Sequence, residues 1–136
     1  MRPKPTVTLP DAEKLVIDLL LAAGQPAGTV KTEFPSNTLA GSNTRVQVEL
    51  ESSNTSRYPI MEKAQVRVVA YCAPGKRDAV KTLAATLLAS LYTFPGNGSV
   101  AGIVPLSGRS AVTVDPTTRN VMCWVLVRVD LLATAV

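Results

Sequence analysis

The chain has 136 residues, 46% of them apolar and 18% charged, and no histidine. That length is one domain's worth and suffices for one sizeable core, while the missing histidine excludes Ser-His-Asp and Cys-His triads and His-liganded zinc, and removes the side chain most used for proton transfer near neutral pH. Fourteen Lys plus Arg against ten Asp plus Glu leave a charge of +4 and a pI near 9.3, but the densest basic group, Lys76, Arg77 and Lys81, encloses Asp78 and forms no stripe along which a phosphate backbone could run.

In chain order, residues 1–7 read as an extended arm stiffened by Pro3 and Pro5. No apolar signal segment follows it, and no run approaches the roughly 18 apolar residues of a membrane span, so synthesis and assembly in the cytoplasm are expected. Thr8, Pro10 and Asp11 mark a helix start, and Ala12, Val16, Leu19, Leu20 and Ala23 follow at the spacing of a core-facing stripe that ends at Gly24. A short strand is predicted over residues 30–34 and a polar loop over 35–44. Residues 45–50 alternate cleanly, with Val46, Val48 and Leu50 on one face and Arg45, Gln47 and Glu49 on the other.

After a loop over residues 51–59 that carries Arg57 and Tyr58, a third strand is predicted at 64–71 and a second amphipathic helix at 76–92, with Val80, Leu83, Ala84, Leu87, Leu88 and Leu91 along one side. A break at 95–99, an apolar connection at 100–106, a strand at 108–114, a hairpin loop at 115–120 and a strand at 121–130 complete the chain before the uncharged tail 131–136. The order α-β-β-β-α-β-β predicts a single α+β domain over residues 1–136: a two-layer sandwich of about five mixed, mostly antiparallel strands with both helices on one face.

The last strand is apolar on both faces, with Val121, Cys123, Val125, Val127 and Val129 on one and Met122, Trp124 and Leu126 on the other. Two helices cover only one face of such a sheet, so the second face needs another cover, either the 100–106 segment folding back or a neighbouring subunit. On this reading Trp124, Leu126, Leu131 and Leu132 are interface candidates, joined by Arg57 and Tyr58, residue types that anchor interfaces, and by Lys76 and Arg77, which oppose the dipole at a helix start and suit an acidic partner.

No motif points to catalysis or to a cofactor. Gly96, Gly98 and Ala101 match the dinucleotide pattern in form but follow a helix instead of opening one. Gly108, Arg109 and Ser110 fall one glycine short of a nucleophile elbow, without a histidine to activate the serine. Cys72 and Cys123, 51 residues apart and outside any CxxC unit, read as small buried apolar residues, and no metal site is expected.

The arrangement as a whole resembles the tail terminator family of long-tailed, non-contractile bacteriophages. The resemblance runs through the opening helix, the central strand ending Val66, Arg67, Val68, Val69, Ala70, Tyr71, the alanine-leucine helix from Lys76 to Tyr92, and above all the closing progression of Gly108, Arg109 and Ser110, Asp115 and Pro116, Arg119 and Asn120, and the strand through Val129. Asn120 stands where that family usually carries an aromatic residue. The resemblance implies a hexameric ring in the virion, at the head-proximal end of the tail. Such a ring caps the tail tube protein, stops its polymerisation and offers a surface to a head-completion or connector protein, with DNA passing through the lumen and no catalysis. A related role as another connector or minor tail protein, and a basic nucleic-acid-binding module, are the alternatives.

Overall fold

The computed structural model describes residues 7–56, 61–97, 100–132 and 134–135. Helix α1 (Ala12–Ala22) begins where the Asp11 carboxylate accepts hydrogen bonds from the N–H groups of Glu13, at 3.0 Å, and Lys14, at 3.3 Å. Asp11, not Thr8, is therefore the cap: Thr8 belongs to strand β1 (Val7–Thr8), where it pairs with Thr134. At the other end Gly24, with φ of +110°, turns the chain so that the Gln25 N–H reaches the Leu20 carbonyl at 3.1 Å.

Strand β2 (Val30–Lys31) is shorter than the periodicity predicts, because the Thr32 carbonyl accepts the Gln47 side-chain amide and Pro35 removes a donor just beyond. β2 lies parallel to β3 (Thr44–Ser56), and β3 is antiparallel to β4 (Met61–Cys72). The β3–β4 pair outruns the predicted strands: after an irregularity between Leu50 and Ser52, polar residues go on pairing as far as Ser56 with Met61. Backbone bonds carry this extension, so it has no apolar alternation to betray it.

Helix α2 (Arg77–Tyr92) buries Val80, Ala84, Leu87 and Leu91. The apolar connection at 100–106, one of the two covers considered for the second face, forms strand β5 (Val100–Pro105), antiparallel to the outer edge of β7 (Val121–Leu132). The strand predicted at 108–114 reduces to β6 (Thr113–Val114), on that same edge. Between β5 and β6, serine hydroxyls complete the ladder: Ser107 Oγ accepts the Leu126 N–H at 3.1 Å and Ser110 Oγ accepts the Trp124 N–H at 2.9 Å.

The result is a six-stranded sheet in the order β2-β3-β4-β7-β5, with β6 also beside β7, and a separate ribbon of β1 with β8 (Thr134–Ala135). Both helices pack on one face of this α+β fold, where Val16, Leu20, Leu87 and Leu91 meet Val46, Val48, Val66, Val68 and the odd-numbered residues of β7 in one core.

Candidate functional site

The even-numbered residues of β7 form the other face. From Val121 to Leu131 every odd residue is at most 2% exposed, while Met122, Trp124, Leu126, Arg128, Asp130 and Leu132 are only half-buried. Register continues that face across the sheet, setting Gln47, Val69 and Trp124 in one row and Glu49, Arg67 and Leu126 in the next. Both helices pack on the opposite side, loops 34–37 and 115–120 border this face at the end near Tyr71, and Val69 within it is 6% exposed.

Two of its arginines are paired within it. The Arg67 guanidinium lies 5.5 Å from the centre of the Trp124 ring and pairs with Glu51 at 2.5 Å. Arg128 meets the two carboxylate oxygens of Asp130 at 2.9 and 3.2 Å. Partly exposed pairs of this kind contribute about 0–1 kcal/mol to stability. Their larger effect is to leave the face close to neutral around an apolar centre of Trp124, Met122 and Leu126. Completing the burial of such half-buried side chains is worth on the order of 1 kcal/mol each, and a cation stacked on tryptophan is a common interface anchor.

At one end of the face, loops 34–37 and 115–120 close over a polar cavity of about 150 Å³ bounded by Phe34, Arg45, Gln47, Tyr71, Asp115 and Asn120. Arg45 stacks on Phe34 at 5.4 Å and donates to the carbonyls of Pro35 and Asn37 and to the Asn37 side chain. The Tyr71 hydroxyl donates to Gln47 at 3.2 Å, and burial, reinforced by the Glu49 and Asp115 carboxylates, raises its pKa. Asp115 is shifted the other way, because the Thr117 N–H, and then that of Thr118, donate to its carboxylate. Asn120, 2% exposed, pins the loops together: its Oδ1 accepts the Leu39 N–H at 2.8 Å and its Nδ2 donates to the Asn37 carbonyl at 3.1 Å.

The structure gathers three of the predicted interface residues, Trp124, Leu126 and Leu132, on the uncovered face. Leu131 is a correction: it continues the odd register of β7, is 0% exposed, and belongs to the core beneath the helices. Lys76 and Arg77 are exposed at the start of α2, on the helix side and apart from this face. Arg57 and Tyr58 lie outside the described residues. Arg67 and Asn120 carry more of the geometry than their sequence context suggests, since both act through partners on other elements. Ser110, weighed as a nucleophile, donates its hydroxyl proton to the Ala111 carbonyl while accepting from Trp124.

Among the described residues no group of three or more His, Cys, Asp or Glu is placed to hold a metal ion, and no helix is long and apolar enough to cross a membrane. No known protein family matches the chain, and no curated protein matches it.

Proposed function

We propose that this protein is a structural assembly subunit, a ring-forming virion protein of the kind that the tail terminator resemblance implies. The observation that supports it is the uncovered sheet face: an apolar, internally neutralised surface centred on Trp124, opposite a face already filled by both helices. A closed ring joins two different patches on each subunit. The Trp124 face serves as one of them, and the second lies elsewhere on the subunit. In this role the ring ends tail tube growth and presents its other side to a head-completion or connector protein, while DNA passes through its lumen.

Native mass spectrometry of the purified protein tests the reading, with and without tail tubes. Six copies in one species, or assembly on tube ends, is the expected result. A single-copy species at every concentration and ionic strength, with no association with tubes, overturns it.

A further inference from the structure

Four cations of the sheet are engaged: Arg45 with Phe34 and loop carbonyls, Arg67 with Glu51 and Trp124, Arg128 with Asp130, and Lys31 over Phe34 at 6.0 Å, while Lys63 of β4 is exposed. A second group differs. Lys76, Arg77 and Lys81 at the start of α2 and Arg109 beyond β5 are all exposed, and none enters an ion pair with another described residue. With Asp78 the only acid among them, four positive charges less one negative account for +3 of the chain's +4.

Tertiary structure brings three of this group together, while Lys76 lines a separate pocket with Thr44, Cys72 and Ala79. Arg109 stands 28 residues from Lys81, yet its Nη1 donates to the Lys81 carbonyl at 3.2 Å, and both side chains line a cleft of about 350 Å³ with Ser110 and Cys123. Arg77 sits one helical turn before Lys81, so the two share a side of α2. Cys123 faces the helices, which puts the cleft on the opposite side of the sheet from Trp124.

We propose that this cleft is a second binding surface, which grips the phosphate backbone of nucleic acid without reading bases. Of the described charged residues only Lys81 and Arg109 line the cleft, and the Arg109 fork is anchored before any ligand arrives; both suit phosphate oxygens. Within two positions of Lys81 and Arg109 the exposed residues are Ala79, Thr82, Ser107, Gly108 and Ala111. None supplies the large apolar or aromatic anchor on which protein interfaces depend, whereas backbone contacts need only charge and donors. The proposal is independent of the assembly reading, because it uses different residues on the other side of the molecule.

Fluorescence anisotropy with a labelled DNA duplex, measured across salt concentration, tests it. Three neutralised phosphates, at Arg77, Lys81 and Arg109, give a slope of about −2.7 for log K against log salt, roughly a 40-fold loss of affinity from 50 to 200 mM. Lys81→Ala with Arg109→Ala is expected to lower the slope to about −0.9, roughly a 3.5-fold loss over the same range. Lys81→Arg with Arg109→Lys keeps the wild-type slope, as does Lys14→Ala on the exposed side of α1. Absence of duplex binding at low salt, or an unchanged slope in the alanine variant, overturns the proposal. So does tighter binding of a polyglutamate peptide than of the duplex, which assigns the cleft to an acidic protein partner. None of these results alters the oligomeric state read by mass spectrometry, so the two proposals fail separately.

Discussion

Asn120 connects two loops that the chain keeps 81 positions apart, and it does so with both ends of its amide. Replacing it by alanine strands the buried Leu39 N–H, which costs about 1–3 kcal/mol. The urea midpoint of Asn120→Ala should fall accordingly, with the m-value unchanged if the rest of the fold holds. In sequence Asn120 stood out only as a departure from the aromatic residue of the resembled family; an amide has no periodicity, and its partners cannot be found by spacing. Tyr71 shows the same limit for titration. Its folded pKa is raised, chiefly by burial, so protection of the neutral phenol is complete below the ordinary tyrosine value near 10 and is lost as pH rises through the folded value. Absorbance titration should show a late-ionising tyrosine that is missing from Tyr71→Phe. Stability should decline between the ordinary and the raised value, and that decline should be absent in Tyr71→Phe.

Strand β7 was largely legible because one property, alternation, decides which way each side chain points. Its predicted end at 130 falls two residues short of the observed Leu132, and the error matters: counting Leu131 and Leu132 together as tail put a core residue among the interface candidates. The neighbouring edge was far less legible. An apolar run at 100–106 can fold back or pair sideways, and only the available β7 edge settled that it becomes β5. Farther along the same edge, Ser107 and Ser110 replace backbone acceptors with hydroxyls, a substitution that strand propensity does not register. Ser110→Ala removes the acceptor for the Trp124 N–H. Amide exchange at Trp124 should accelerate by about fivefold, as expected for a lost bond of roughly 1 kcal/mol, while Val125, which pairs with Val68 on the other side, keeps its protection.

For the whole molecule, stability and assembly draw on opposite faces of one sheet. The odd residues of β7 hold the core beneath the helices, and the even residues are left for a partner. Leu126→Asp should therefore leave far-UV circular dichroism and monomer cooperativity nearly intact, because Leu126 is only half-buried. The same substitution should abolish the assembled species in native mass spectrometry by placing a charge in an apolar contact. Equal loss of monomer folding would show the face to be core instead. The class of fold, the two amphipathic helices, the central strands and the doubly apolar β7 were determined by sequence alone, because local periodicity of 3.6 or 2 residues records which side of an element is buried. The covering of one face and not the other, the pairing of Arg67 with Trp124, the pin at Asn120 and the gathering of Arg109 with Lys81 were decided only by tertiary structure. Each depends on residues distant in sequence meeting across strands or loops, and distance along the chain carries no trace of such meetings.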